Sequence, residues 1–428
     1  MPLPGHPERA YVWVWLPGET VPVVAGVLTQ DGELLAFNYA QSYLARRARL
    51  PLYLPELPLQ PGFIRPLRGL SVAGCIRDGA PDAWGQRVIL ANHVPPNVTR
   101  GDTGDLPLLT YLLESGSDRI GALDFQESPS VYVPRTTSGS LAELQAASED
   151  FLAGRQVSPA LQQAFLHGTS IGGARPKVLI HETAHDGRPS ELIAKLSVSS
   201  DTWPVVKAEA VAMELARRVG LNVANSKLIE SAGRDVLLVE RFDRPGTTGS
   251  IAGVPGERRS VVSALTMLEL DEMTGRYATY HELADLIRRR FTEPNKTLRE
   301  LFARITFNIA ISNTDDHARN HAAFWDGTQL TLTPAYDLSP QMRTGDTAEQ
   351  AMAIARDGHR ASRMALCVEA SDIFHLTARE AREIIAHQVN VIESEWDSAA
   401  AACDLTPTER AFLWKRLILN PAIHYEME

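Results

Sequence analysis

Asp315 and Asn320 stand five residues apart in the octapeptide Asn313-Thr-Asp-Asp-His-Ala-Arg-Asn320, and Asp337 follows seventeen residues after Asn320. Three such side chains could run phosphoryl transfer. One carboxylate orients an acceptor hydroxyl and takes its proton. An amide oxygen and a second carboxylate are hard donors that suit Mg²⁺ carrying a nucleotide phosphate. The bare pattern Asp-x-x-x-x-Asn turns up about once by chance in a chain this long, so its weight rests on the elements that hold it.

Residues 297–311 read as a helix, with Leu298, Leu301, Phe302, Ile305 and Ile309 at three-and-four spacing and Thr297 with Glu300 as a capping box. The helix then ends just before Asp315 and leaves it in a loop. Residues 322–325 and 328–333 read as strands around a two-residue Asp326-Gly327 turn. That register sets residue 325 opposite 328 and 320 opposite 333, and by extrapolation brings Asp337 near residue 316. Pro334 interrupts the ladder. The alternative is a hairpin with polar flanks and no chemistry.

Other pieces fit a nucleotide site. The segment from Gly168 to Lys177 (GTSIGGARPK) has three glycines in six residues, which lets backbone N–H groups approach phosphate oxygens. It is neither a P-loop nor G-x-G-x-x-G. Lys195 interrupts an apolar strand, Leu192-Ile-Ala-Lys-Leu196, where it needs a partner or a ligand. A kinase uses such a strand lysine on the α- and β-phosphates, often with a helix glutamate, here Glu209. The run Val239-Glu-Arg-Phe-Asp-Arg244 ends a strand. It reads either as a hinge contacting adenine or as a solvated charge run.

The 428 residues suffice for two or three domains; 44% are hydrophobic, 22% charged, and the net charge is −10. The acidic balance argues against broad direct binding to nucleic acid. Cys75, Cys367 and Cys403 are scattered, which fits a reducing compartment and argues against a disulfide framework or a Cys-type zinc site. His281-Glu282-x-x-Asp285 lacks the second histidine of a zinc-protease motif. No signal peptide or membrane span is read, so the expected location is cytoplasmic. Arg288-Arg289-Arg290 reads as a solvated helix end. Short strands fill residues 10–38, helices 40–47, 80–90, 141–152, 159–167 and 206–219, further strands 178–182, 191–197, 228–230 and 235–242, and residues 127–139 form a linker. The expected parts are a module over 1–126, a β-rich ATP-binding lobe over 127–260 and a helical lobe over 261–428.

Together these segments resemble the HipA family of serine/threonine kinases, toxins of bacterial toxin–antitoxin pairs. The likeness is carried by Ser170-Ile-Gly-Gly-Ala-Arg-Pro-Lys177, by Lys195 in its strand, by Gly220-Leu-Asn-Val223, by Val239 to Arg244, by Asn313 to Asn320 and by Thr333-Pro-Ala-Tyr-Asp337. Upstream, Asp78-Gly-Ala-Pro-Asp-Ala-Trp-Gly85 and Arg119-Ile-Gly-Ala-Leu-Asp-Phe125 resemble the module that accompanies these kinases. The resemblance implies an α+β, bilobal protein-kinase-like fold using ATP and Mg²⁺, with the nucleotide between the lobes. Asp315 would be the catalytic base, and Asn320 and Asp337 the metal ligands. Ile171, Gly172, Gly173, Ala174, Arg175, Lys177 and Lys195 would surround the phosphates, Glu240 and Phe242 the adenine, and His317 would hydrogen-bond the catalytic loop. Ser170 matches a loop serine that the family autophosphorylates, which shuts off ATP binding; adding roughly two negative charges beside a triphosphate has the right sign. The implied partners are a HipB-like helix-turn-helix antitoxin, DNA only through it, and a protein substrate such as an aminoacyl-tRNA synthetase. Asp316 stands where some members have glycine; it could tune metal affinity.

Three other readings remain at this level. A small-molecule or lipid phosphotransferase shares the same carboxylate logic. A serine hydrolase could use Ser170 in Gly168-Thr-Ser-Ile-Gly172, although a nucleophile elbow needs a strand before the serine and a helix after it, and the expected order here is the reverse. A non-catalytic binding protein would act through the antitoxin alone.

Overall fold

The computed structural model describes residues 7–93, 106–135, 139–155, 157–158, 161, 165, 175–183, 189–245, 256–343 and 345–427. The expected helix 159–167 and the glycine segment 168–174 lie outside these, apart from single positions. The chain forms two compact units. The first comprises Met1–Ser199, Glu230–Val262 and Phe324–Thr328; the second comprises Ser200–Ile229, Ser263–Ala323 and Gln329–Glu428.

In the first unit, strands β1 (Arg9–Val14), β2 (Val23–Asp31), β3 (Leu34–Tyr39), β4 (Phe63–Ile64) and β5 (Leu123–Gln126) make one sheet in the order β4-β3-β2-β1-β5. Its neighbouring strands pair antiparallel. Strand β5 overlaps the end of the Arg119–Phe125 motif, and four residues carry too little alternation to be read as a strand from the sequence. Strands β6 (Lys177–Thr183) and β7 (Pro189–Leu196) pair antiparallel, and β7 pairs in turn with Arg234–Glu240. The expected helix 141–152 is present as Leu141–Leu152, with Ser140 and Glu143 forming a capping box.

The second unit is mainly helical. Its helices include Val205–Arg218, Tyr280–Arg290, Pro294–Ala310 and the long Ala378–Ala402. Leu298, Leu301, Phe302, Ile305 and Ile309 are all fully buried, as their spacing requires. The helix start differs from expectation. It begins at Pro294, which is pre-organised for a first helical position, and Thr297 lies inside it. Glu300 therefore closes no capping box; it pairs with Arg304 one turn on, at 2.9 Å. Ser312, at φ 55°, turns the chain out of the helix.

The hairpin is also adjusted. Its strands are Ala322–Trp325 and Leu330–Leu332, so the connection runs over four residues, not two. The Asp326 carboxylate takes up Thr328 N and Oγ1, both at 2.8 Å, which favours the longer turn, with Gly327 at φ 100°. Thr333 N donates to Ala322 O at 3.0 Å, a pairing shifted by two residues from the expected one. A two-residue shift preserves which face each side chain takes. Among the described residues, no helix is long and apolar enough to cross a membrane.

Candidate active site

The catalytic-loop candidate lies wholly in the second unit. The helix Pro294–Ala310 delivers the chain at Ser312, whose hydroxyl donates to Leu417 O at 2.7 Å. Asn313 is buried. Its amide nitrogen donates to Asn308 Oδ1 at 3.0 Å and to the carbonyl of Asp337 at 3.4 Å. Asp337 itself sits at φ 58°, a left-handed conformation that costs a non-glycine residue roughly 1–2 kcal/mol. Asn313 is therefore the link that gathers the Asp337 segment to the loop. Sequence pattern could not assign it that role, because its function is to bond backbone.

Within the loop, His317 N donates to Asp315 O at 2.8 Å and Asn320 Nδ2 donates to the same carbonyl at 3.1 Å. The Asn320 amide is thus fixed with its nitrogen towards the loop, which leaves its oxygen for a cation. Asp315 is exposed, and Asn320 and Asp337 are half-buried. Partial enclosure raises the Asp315 carboxyl above its ordinary value; the His317 ring works against this, and the charges of Asp337 and Asp316 add to it. A carboxylate pushed up in this way suits accepting a proton.

The donor chemistry fits a hard cation. One amide oxygen and one carboxylate are what a protein supplies to Mg²⁺ when substrate phosphate and water provide the rest. Among the described residues, no group of three or more His, Cys, Asp or Glu could hold a metal by itself.

Asp316 turns away from solvent. Its side chain is 3% exposed and pairs with His321 Nε2 at 3.0 Å, while the buried hydroxyl of Tyr280 donates to its other oxygen. Burial would raise this carboxyl, but His321 beside it, with Tyr280 and Asn308, brings it below its ordinary value. His317 is half-buried, and its Nδ1 has no hydrogen-bond partner.

Under the Asp337 segment, Arg304 is buried. It donates to the carbonyls of Asn222 at 3.1 Å and Thr333 at 2.9 Å. Asn222 O also accepts from Ala335 N at 2.7 Å. The Gly220–Val223 motif is thereby tied to the segment leading to Asp337. A cavity of about 460 Å³ opens here beside Gly220, Asn222, Glu300 and Arg304. None of Asp315, Asn320 and Asp337 lines it.

In the first unit, Lys195 is half-buried, on the strand face opposite the buried Leu192, Ala194 and Leu196. Directly across from it stands Lys177, whose ammonium is buried and paired with Asp82 at 2.6 Å. Arg175 is half-buried and donates to Leu196 O at 3.4 Å. Ser170, Ile171, Gly172, Gly173 and Ala174 lie outside the described residues. Glu240 is exposed at the end of its strand, and Phe242 packs edge-on against Phe324 with ring centroids 5.8 Å apart.

Apart from Glu240, the charged residues of the run 239–244 are not solvated. Arg241, Asp243 and Arg244 are buried. Arg241 and Arg244 each reach Asp118 at 2.9 Å, and reach Asp243 at 2.9 and 2.7 Å. Asp243 accepts from Gly121 N at 2.7 Å, and Gly121, at φ 81°, adopts a conformation that favours glycine. Burial would raise the Asp243 carboxyl, but Arg241 and Arg244 bring it down to about 2. The neighbouring Arg119 is fully buried and pairs with Asp124 at 2.9 Å; burial draws its guanidinium down to about 10. The upstream motif and the strand end are therefore two halves of one ionic knot, which a strand-by-strand reading takes for surface charge.

The chain resembles the toxin YjjJ of Escherichia coli (24% identity over 191 residues, 42% of this chain and 40% of that protein). It also resembles the serine/threonine-protein kinase toxin HipA of Shewanella oneidensis (28% over 165 residues, 34% and 36%). The matches thus span about two fifths or less of these relatives' lengths. Among solved structures, a Shewanella oneidensis chain from a complex of HipA, HipB and operator DNA superposes with a TM-score of 0.69, at 18% identity and over 96% of both chains. That likeness shows the fold, a protein-kinase-like one of mixed helix and sheet. The HipA-like C-terminal domain matches residues 169–396, more than half of the sequence, and the chain belongs to that family.

Proposed function

We propose that this chain is a Mg²⁺- and ATP-dependent serine/threonine protein kinase, the toxin of a toxin–antitoxin pair. The observation that carries the reading is the gathering of Asp315, Asn320 and Asp337 by one hydrogen-bonded loop, with Asn320 bonded to the Asp315 carbonyl and Asp337 tethered through Asn313. Asp315 orients the acceptor hydroxyl and takes its proton. Asn320 and Asp337 hold Mg²⁺, which when bound offsets charge on the phosphate oxygens. Lys195 contacts phosphate, with residues 171–175 as the backbone cradle and Lys177 fixing the base of that segment through Asp82. Glu240 and Phe242 meet the adenine, and His317 braces the loop. In this reading residues 1–126 are an accessory module, 127–260 carry the nucleotide loop and 261–428 carry the catalysis.

The substrate is a host protein, of which an aminoacyl-tRNA synthetase is the leading class. The proposed partner is a HipB-like helix-turn-helix antitoxin through which DNA is engaged, and the proposed compartment is the cytoplasm. Ser170 is the proposed autophosphorylation site: Ser170→Asp should weaken ATP binding, and unchanged affinity would sink that idea.

Phosphoproteomics after induction, wild type against Asp315→Ala, tests the whole reading. Phosphosites present only in the wild type would support it and name the substrate. Purified protein that neither binds Mg–ATP nor transfers its phosphate would end it. Transfer into metabolites or lipids, and not proteins, would favour the small-molecule phosphotransferase.

A further inference from the structure

We propose that Asp316 is a positioning residue for the phosphotransfer assigned above, closing with His321 and Tyr280 a buried brace that fixes Asp315 and Asn320 relative to each other. The inference rests on the kinase reading for its catalytic consequence. The two adjacent carboxylates face opposite ways: Asp315 is exposed, while the Asp316 residue is 2% exposed.

The connectivity gives the brace its purpose. Asp316 directly follows Asp315, and His321 directly follows Asn320. The single contact from Asp316 Oδ1 to His321 Nε2, at 3.0 Å, therefore closes a ring across the stretch that bears both groups. Inside the ring, His317 N and Asn320 Nδ2 both donate to Asp315 O, and Asn320 N donates to His317 O at 2.8 Å. Tyr280 anchors the ring from a rigid element, the first residue of the helix Tyr280–Arg290, fully buried. Its hydroxyl donates to the Asp316 carboxylate and reaches the Asp316 carbonyl at 3.3 Å. His321 is held at the far end by Ala264 N, which donates to its carbonyl at 2.7 Å.

The brace extends to the third group. Asn308, in the last turn of Pro294–Ala310, helps draw the Asp316 carboxyl down and accepts from Asn313, which in turn donates to Asp337 O. Positioning of reacting groups is steep, with about 1 Å of displacement worth up to ~10²-fold in rate. A buried polar network, here closed by the Asp316–His321 ion pair, is the means by which a loop is held to that tolerance.

The test uses the full chain, with ³²P transfer from ATP to itself or to a protein mixture, Mg–ATP binding by calorimetry, and amide exchange over residues 313–321. Asp316→Asn should lower kcat by ~30–100-fold while the KM for ATP stays within about twofold. Tyr280→Phe, which keeps the ring and its packing, should lower kcat by ~5–10-fold. The Asp316→Asn/His321→Gln double variant should be no worse than Asp316→Asn alone, because both changes open the same ring. Exchange over 313–321 should quicken in each variant. The brace is overturned if kcat stays within twofold of wild type, if kcat and KM change together, or if the double variant shows additive losses. Should Asp316→Asn fail to fold, Tyr280→Phe decides. A wild type that transfers no phosphate would defeat the kinase reading instead, and unchanged exchange over 313–321 would then defeat the brace independently.

Discussion

Asp315 and Asp243 are the same residue type in opposite settings. Asp243 is enclosed by Arg241 and Arg244, accepts a backbone N–H from Gly121, and its carboxyl is drawn down to about 2. Asp315 is exposed on the loop surface, and partial enclosure together with the charges of Asp337 and Asp316 pushes its carboxyl up against the opposing His317 ring. The first arrangement stabilises a charge that never has to change. The second leaves a charge under-compensated, and a cation or a proton would relieve it. Both segments are rich in Asp, and only their surroundings separate a structural knot from a catalytic loop.

The comparison breaks most readily at Asp315. Asp315→Ala should lower phosphotransfer by at least ~10³-fold while the denaturation midpoint barely moves, since an exposed side chain away from the core costs within about 0.5 kcal/mol. A large loss of stability with activity retained would invert the two roles. Asp118→Ala should do the reverse. It leaves Arg241 and Arg244 to share Asp243 without their second close carboxylate, and under-compensated buried charge costs roughly 3–5 kcal/mol, read as a lowered urea midpoint.

Acid sharpens the contrast. The folded Asp243 carboxyl lies at about 2 against an ordinary 3.8, so it stabilises the fold at neutral pH. That contribution, on the order of 2–3 kcal/mol, is present above about pH 4 and fades as pH falls towards 2. Asp243→Asn should flatten this limb of the stability curve; an unchanged limb would show that Asp243 is not the titrating group. The smallest effect is expected at Asp337. Removing its charge in Asp337→Asn should lower the Asp315 carboxyl pKa, observable by carboxyl ¹³C titration, and a rise would contradict the like-charge pairing.

How much was legible beforehand varied with range. The helix Leu141–Leu152 and the buried stripe from Leu298 to Ile309 followed from spacing, because a helix face depends only on residues a few positions apart. The helix start differs from the one the spacing predicts: Thr297 and Glu300 match a capping box, yet Pro294 lets the helix begin three residues earlier. The hairpin was found but its register was not, since Asp326 spends its carboxylate on Thr328 and lengthens the turn. The run Val239 to Arg244 was readable as charged but not as buried. Its partner Asp118 lies more than a hundred residues away in sequence, and no local pattern reports that pairing.

The sequence by itself determined the chemistry on offer: two carboxylates and an amide at fixed spacing, a glycine-rich segment, a strand lysine, and the order in which they come. Only the tertiary structure decided how adjacent residues divide their work. Asp315 and Asp316 are chemically identical and share a peptide bond. One reaches solvent, and the other is drawn inward by His321 and by Tyr280, thirty-six residues upstream. The protonation, exposure and role of a carboxylate are set by the charges and donors around it in space, and those arrive from segments that the linear order keeps apart.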